Sequence, residues 1–424
     1  MNVLVVGSGG REHAICWSIL KSPKVTKVFC APGNAGIGEI VDIVNIDATN
    51  LDALLNFALQ KKIDLTIVGP EQPLSIGIVD LFRSNGLLIF GPDKNSSQLE
   101  SSKEFSKIFM INNDIPTASF KSFSDYILAS KYLKESKYPL VVKADGLAAG
   151  KGVRVCYSHD EASEFLKFIM EDKIFSTSGD KVVIEDFLEG EEASFFVFTD
   201  GKSILPLDSS QDHKRLLDDD LGPNTGGMGA YSPAPIVDNE TRKNIMNEIV
   251  DPVFKGFKKD GINYSGVLYI GLMIKNKRPK VVEFNCRFGD PETQPLLYRL
   301  DSDAFDLFYM TAKENLDNYE LKWKKKSSIT VVMAAKGYPG KYDKDIPIKN
   351  LLDFKQKGVT VFHAGTSKIN GEININGGRV LGITAEGDNL KEAISLVYDS
   401  IRMIDSDNLV YRKDIGKKGL INFY

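Results

Sequence analysis

Apolar positions along this chain come in short bursts separated by turn residues. Runs at Val3–Val6, Lys27–Cys30, Leu65–Val68 and Leu87–Phe90 read as strands, each followed by a turn: Gly7-Ser8-Gly9-Gly10, Ala31-Pro32-Gly33-Asn34, Gly69-Pro70 and Gly91-Pro92. Helical patterns such as Leu51–Gln60 and Ile78–Ser84 lie between them. Strands alternating with helices predict a parallel, doubly wound α/β domain over residues 1–100, with ligands at the carboxyl ends of its strands.

Residues 97–113 read as one helix that stops before Pro116. Strand Pro139–Lys143, a loop of small residues and strand Arg154–Tyr157 make a hairpin-like flap, followed by helix Asp160–Met170 and strand Lys181–Glu185. From 193 to about 325 come antiparallel-looking strands, a glycine-rich loop over 221–231 and helices. The pattern restarts with strands Ser328–Ala335, Thr360–Ala364 and Arg379–Thr384 and helix Asn389–Ile404. The expected division is 1–100, 101–325 with a flap over about 117–192, and a small mixed α/β domain over 326–424.

Composition narrows the partners. With 42% hydrophobic and 26% charged residues, the 424-residue chain reads as an ordinary globular protein of several domains. Its net charge of −4 gives no electrostatic case for nucleic acid or an anionic membrane as partner. Cys16, Cys30, Cys156 and Cys286 are scattered without a C-x-x-C pair, which argues against a zinc site or disulfide framework and fits a reducing compartment. No apolar stretch is long enough to span a bilayer, and Val3–Val6, followed by Arg11-Glu12-His13, is too short for a signal peptide. The expectation is a cytoplasmic enzyme.

The densest chemistry lies in Val281-Val282-Glu283-Phe284-Asn285-Cys286-Arg287-Phe288-Gly289-Asp290-Pro291-Glu292. On a strand Glu283 and Asn285 share a face, two oxygen donors one pleat apart that suit a hard cation such as Mg²⁺. Arg287 follows, suited to a carboxylate or phosphate. Alone, the run reads more readily as a solvated face with Arg287 bridging to Asp290 or Glu292. Gly7-x-Gly9 lacks the third glycine of a dinucleotide fingerprint, because Glu12 stands there; it marks either an anion site at a helix N-terminus, for a substrate phosphate rather than NAD, or a plain turn. The loop from Lys143 to Gly152 is not a Walker A sequence, yet it places lysines at a strand end and among side chains small enough to let backbone approach phosphate. Ile184–Glu192 runs from a strand into an acidic connection, suited to adenine and ribose or simply a solvated linker. The polar-basic cluster Gln211–Arg215 precedes Gly222–Pro233, which is too glycine-rich for a packed core element and able to wrap a ligand through its own N–H groups.

In this order the stretches resemble the ATP-grasp superfamily. Gly7-Ser8-Gly9-Gly10-Arg11-Glu12-His13, Pro32-Gly33-Asn34-Ala35-Gly36, Lys143–Val153, Asn224–Pro233 and Arg287-Phe288-Gly289-Asp290-Pro291-Glu292 resemble, more closely, the phosphoribosylamine–glycine ligase family. The likeness runs from Val3 to the end, through Lys336–Gly340, Gly377–Leu381 and Tyr411–Gly416. It implies an ATP-grasp core of α+β type with a flap over residues 101–325. It also implies ATP-dependent joining of glycine to 5-phosphoribosylamine through glycyl phosphate in purine synthesis, with Mg²⁺ or Mn²⁺.

Carried over residue by residue, the resemblance gives Lys103, Lys143 and the flap residues Gly146, Gly150, Lys151 and Gly152 to the ATP phosphates. Glu185 and the Leu188 backbone go to adenine, Glu191 to ribose, and Glu283 and Asn285 to the metal. Tyr269 stands where many relatives of the superfamily supply a further carboxylate. Arg287 is implied at the reacting carboxylate. Gly9, Gly10, Arg11, Glu12 and Asn34 are implied at the phosphoribosylamine, with Asp212, His213, Thr225, Gly226, Gly227 and Met228 completing the acceptor site. A single-function, bacterial-type form is expected, since the chain has no room for fused enzymes, and a monomer, since no exposed coiled-coil pattern suggests an obligate oligomer.

Overall fold

The computed structural model describes residues 1–148, 151–317, 319–349, 351, 356–404 and 407–421. The expected phosphate-loop residue Gly150 lies outside the described residues.

The first hundred residues form a five-stranded parallel sheet in the order Asp42–Ile43, Lys27–Pro32, Asn2–Gly7, Leu65–Val68, Ile89–Phe90. Val3 to Val6 are wholly buried because the central strand is covered on both faces. Strand order reverses beside Asn2–Gly7, so the crevice of this doubly wound sheet opens between Gly7 and Gly69. The last strand is shorter than the expected Leu87–Phe90.

The helix expected over 97–113 is two helices, Gln98–Ser101 and Lys103–Asn112. Ser102 between them is extended (φ −132°, ψ 116°), and its hydroxyl accepts from the Phe105 amide at 3.1 Å. This N-cap supplies an acceptor to a helix end with unpaired N–H groups and starts the second helix at Lys103.

Two antiparallel sheets follow. The flap sheet orders Phe120–Phe123, Val182–Asp186, Leu140–Ala144, Val153–Cys156. The central sheet orders Ile204–Pro206, Glu191–Thr199, Gly266–Lys275, Arg278–Asn285, with Phe195 to Phe198 wholly buried. Glu191 and Glu192 thus begin a strand, rather than belonging to a connection.

The third sheet takes Gln211–Asp212 and Gly229–Ser232 from mid-chain and joins them to Ser327–Ala335, Arg379–Gly387 and Val359–His363. The expected loop over 221–231 is therefore corrected: Leu221–Asn224 pairs with Arg215–Leu217, and Gly229–Ser232 is a wholly buried strand. A Cβ on Gly229 (φ +155°) would meet the Thr330 carbonyl oxygen at 2.6 Å, so its missing side chain permits close strand approach rather than an open loop.

Candidate active site

The sheets enclose a cavity of about 530 Å³. One wall is the strand Arg278–Asn285. In its register with Gly266–Lys275, Gly271 faces Glu283 and Tyr269 faces Asn285, with a bulge between them and the rest of the ladder. Both donors line the cavity, as their shared face requires. Burial acts to raise the Glu283 pKa, but Lys214, Lys103, Lys143 and Arg287 outweigh it and bring it to about 2. The nearest cations, Lys103 Nζ and Lys214 Nζ, each lie 3.9 Å from a Glu283 oxygen. Turned to satisfy its neighbours, the Asn285 amide nitrogen donates to Glu100 Oε1 at 3.0 Å and Phe284 O at 3.3 Å, with its oxygen on the opposite side. An ionised carboxylate beside an amide oxygen is a donor set that fits a hard divalent cation. Tyr269 brings no carboxylate; its hydroxyl is 3.1 Å from Ser194 Oγ.

Arg287 lies where the chain leaves this strand. Its Nη2 is 2.7 Å from Glu100 Oε1, its Nε is 3.3 Å from Glu71 Oε2, and Nη1 donates to Phe288 O at 3.3 Å. Three of five N–H groups are thereby used and two remain for a ligand. Burial works against its charge, but Glu100 and Glu71 raise its pKa. In turn Arg287 and Arg11 overcome burial to hold Glu71 at about 2.

At the flap side, Glu185 is shared by Lys143 (2.9 Å) and Lys107 (3.0 Å), all three buried. Lys107 also donates to Thr117 Oγ1 at 2.8 Å, and burial lowers its pKa to about 8 despite Glu185. Lys103, Gly146 and Gly152 line the same space, and Val141, Val155, Phe187, Leu188, Met273 and Val282 supply its apolar surface. Asp145 ties the flap base to the neighbouring helix, accepting from the Glu104 amide at 3.1 Å. Lys151 is exposed and lines a wider space of about 940 Å³ between the flap and the strand pair Arg215–Leu217/Leu221–Asn224. Glu191 is also exposed and outside the 530 Å³ cavity; Glu192 lines it, paired with Lys214 at 3.0 Å. Strand alternation puts these two glutamates on opposite faces.

The N-terminal turn is occupied by its own side chains. Glu12 Oε2 accepts from the Gly9 amide and Oε1 from Arg11 Nε, both at 2.6 Å. The carboxylate fills the hollow left by Gly7 and Gly69: a Cβ on Gly69 would lie 2.0 Å from Glu12 Oε1. The expected anion site at this helix N-terminus is therefore closed at Gly9 by an internal carboxylate. Gly10 packs against Gln294. Asn34 uses its nitrogen on Ser8 O (2.8 Å) and His363 O (2.9 Å) and its oxygen on the Ile37 amide (3.0 Å). Of this group Arg11 lines the cavity, anchored to Phe288 O at 2.9 Å.

The acceptor-side expectation also divides. Asp212, Thr225 and Gly226 line the cavity. His213, Gly227 and Met228 do not: His213 is buried with Nδ1 3.2 Å from Gly229 O, and burial lowers its pKa to about 4. The amides expected to wrap a ligand are used internally, Gly226 N–H on Tyr338 Oη (3.0 Å), Gly227 N–H on Thr225 Oγ1 (3.0 Å) and Met228 N–H on His213 O (2.8 Å).

Three family models match in succession: Phosphoribosylglycinamide synthetase N domain over 1–100, its ATP-grasp (A) domain over 101–293, and its C domain over 328–418. A curated relative, phosphoribosylamine–glycine ligase of Vibrio parahaemolyticus, is 49% identical over 423 residues, covering 99% of both chains. The chain belongs to the phosphoribosylglycinamide synthetase family. The crystal structure of phosphoribosylamine–glycine ligase from Thermotoga maritima superposes on this family member with a TM-score of 0.86 at 31% identity, covering 98% of this chain and 100% of that one. The biotin carboxylase domain of Hydrogenobacter thermophilus 2-oxoglutarate carboxylase shares the fold alone, with a TM-score of 0.76 at 16% identity over 97% of this chain and 91% of that one.

In this synthetase-family chain the site residues that sequence reasoning missed are Glu71, Glu100, Lys107 and Arg379, while Glu192 and Lys214 lay in stretches it marked without being singled out. Arg379 reaches in from the C-terminal sheet, donating to Gly226 O (2.7 Å) and Asp290 O (2.6 Å) and pairing with Asp290 Oδ2 at 3.3 Å. The stretch containing Arg379 is one of the motifs carrying the family likeness, and that was its only signal.

Proposed function

We propose that this chain joins glycine to 5-phospho-D-ribosylamine at the expense of ATP, giving glycinamide ribonucleotide, ADP and phosphate for purine synthesis. The observation that carries this reading is the convergence of Lys103, Lys143, Glu283, Asn285 and Arg287 on one cavity, in a chain 49% identical over its length to a phosphoribosylamine–glycine ligase.

A carboxylate is a poor electrophile, so the reaction runs in two displacements. The glycine carboxylate takes the γ-phosphoryl group of ATP: a new P–O bond forms, the bond to the β-phosphate oxygen breaks, and ADP leaves. The amine of phosphoribosylamine then attacks the acyl carbon; a C–N bond forms, phosphate departs with the bonding pair, and the amine gives up a proton. Such chemistry asks mainly for positioning and fixed charge.

Lys103 and Lys143 hold the ATP phosphates, with Gly146 and Gly152 of the flap above them. Adenine lies against Val141, Val155, Leu188 and Met273. Glu185 positions Lys143, and Glu192 rather than Glu191 faces the ribose. Glu283 and Asn285 would hold Mg²⁺ or Mn²⁺, which supplies neutralising charge to the polyphosphate when bound. The two free N–H groups of Arg287 face the reacting carboxylate, and Arg11, Thr225 and Gly226 border the acceptor. His213, just past the strand Gln211–Asp212, supports Asp212 by donating its amide to it. Closing the flap excludes water, which would hydrolyse the acyl phosphate. The enzyme works as a cytoplasmic monomer.

The test is ADP release with Mg·ATP, glycine and freshly made phosphoribosylamine, omitting each in turn. The expected result is release that requires all three. Release independent of glycine would overturn the reading.

A further inference from the structure

The cavity's carboxylates differ in how their charge is answered. Glu71 and Glu100 share Arg287, Glu185 has Lys143 and Lys107, Glu192 has Lys214, Glu283 lies between Lys103 and Lys214, and Asp290 has Arg379. Among the described residues lining the cavity, Asp212 and Glu292 have no lysine or arginine at ion-pairing distance, a condition shared only by Asp186 at the exposed rim. Asp212 accepts one hydrogen bond, from the His213 amide at 2.7 Å, and Glu292 one, from Ser194 Oγ at 3.1 Å. An ionised carboxylate offers about four lone-pair sites, so each has acceptor capacity to spare. Asp212 and the adjoining Pro291 are brought together by Gly227, whose absent Cβ would meet Asp212 Oδ1 at 2.7 Å and Pro291 Cδ at 2.4 Å. Glu292 is the next residue, and it is 3% exposed.

Two unanswered carboxylates side by side in a buried cavity repel each other and every anion brought near them. Burial and Glu292 together push the Asp212 pKa well up, against the pull of Lys214 and Arg379. ATP phosphates and a sugar phosphate are thereby excluded from this corner. On the proposed reaction, the substrate group that is cationic at neutral pH is the ammonium of glycine, whose carboxylate belongs at Arg287. Arg287 opens the Arg287–Glu292 turn and lies within the electrostatic reach of Glu292.

Resting on the reading above, we infer that Asp212 and Glu292 form the receptor for the ammonium group of glycine, opposite Arg287, and so select an α-amino acid over other small carboxylic acids. Asp212 thereby moves from the acceptor side, where its motif had placed it, to the glycine side. The pair acts as a specificity device: an acid lacking the ammonium leaves two buried carboxylates facing each other unrelieved.

The experiment compares glycine with glycolate, which replaces the ammonium by a hydroxyl. In wild-type enzyme, glycolate should inhibit glycine-dependent ADP release only at concentrations at least about tenfold above the glycine KM, the factor expected from losing one charge-assisted contact. Asp212→Asn and Glu292→Gln keep shape and remove charge. Each should raise the glycine KM about tenfold or more while changing the ATP KM less than about threefold, and should narrow the glycine–glycolate ratio. Equal potency of glycolate and glycine in the wild type would overturn the inference without any variant having to fold. So would an unchanged glycine KM, or ATP and glycine KM values rising in step. Wild-type ADP release without dependence on glycine would sink the underlying reaction instead.

Discussion

Glu100 Oε1 lies 2.7 Å from Arg287 Nη2, and the other carboxylate oxygen of Glu100 accepts from the Cys286 amide at 2.7 Å. A buried glutamate thus holds both the backbone and the guanidinium at the end of the Glu283–Asn285 strand, while Glu71 takes the opposite edge of Arg287 at 3.3 Å. Replacing Arg287 by Met strands two carboxylates, a loss of about 3–5 kcal/mol for a broken buried pair. The sign with pH follows from Glu71, which Arg287 depresses to about 2. Without the arginine its pKa rises, and burial already raises that of Glu100, so the two carboxylates take protons as the pH falls. Urea denaturation should therefore show the Arg287→Met penalty to be larger at pH 7.5 than at pH 4.5. A penalty independent of pH would exclude the stranded carboxylates as its cause.

Glu283→Gln keeps the shape of the strand and removes the charge that Lys103 and Lys214 surround. Turnover at saturating ATP should fall by about two orders of magnitude, the scale of losing one preorganised electrostatic group, and the Mg²⁺ concentration for half-maximal rate should rise. The melting temperature should stay within a few degrees. Because Glu283 is depressed to about 2, its contribution to stability is present above the unfolded pKa near 4.5 and is lost as pH falls toward 2. An acid limb of activity above pH 5 would belong to other groups. Near-wild-type turnover in this variant would remove Glu283 from the metal site.

Legibility in the sequence followed the range of the physics. Val281–Asn285 and Arg287–Glu292 were readable because strand alternation and a turn act over a few residues. Lys143 was readable at the end of an apolar run. Glu71, Glu100 and Lys107 were not, since a single charged residue in a helix carries no mark of the partner it will meet through the fold: Glu100 answers Arg287 across 187 positions. Glu191 shows how sharp the strand rule is. The resemblance pointed to Glu191, yet alternation along Glu191–Thr199 turns its neighbour Glu192 toward the cavity and leaves Glu191 on the other face. The glycines of 222–229 carried two meanings, open loop or close approach, and only the partner strand Ser327–Ala335 decides between them.

His13, His213 and His363 are buried, with pKa values lowered by burial to about 3, about 4 and about 4. The His363 amide donates to His13 Nδ1 at 2.9 Å, which requires that nitrogen unprotonated. The unfolded chain binds protons at these histidines near pH 6.5 and the folded chain does not, so stability falls as pH drops from about 6.5 toward 4. Asp212 and Glu100, raised by burial, act in the opposite sense. The clean measurement is a difference. His13→Asn retains an acceptor for the His363 amide, and its stability should fall less steeply between pH 6.5 and 5 than that of the wild type, by up to about 1.4 kcal/mol per pH unit for one proton. Parallel curves would mean that His13 does not resist protonation in the folded state.

Gly69 and Glu12 provide a coupling test of the N-terminal turn. A Cβ on Gly69 would fall 2.0 Å from Glu12 Oε1 and 2.6 Å from Glu12 Cδ, well inside contact distance. Glu12 cannot swing aside cheaply, because its two oxygens cap Gly9 and hold Arg11. Gly69→Ala should therefore destabilise by about 1–3 kcal/mol through overpacking. Glu12→Ala alone should cost about 1–2 kcal/mol through the lost cap and the unpaired Arg11. In the double variant the alanine methyl enters the space the carboxylate has left, so the two losses should fall short of their sum by about 1 kcal/mol or more. Urea denaturation of the four proteins measures this directly. Strict additivity would show that the glutamate does not fill the crevice where a dinucleotide-binding fold keeps its third glycine.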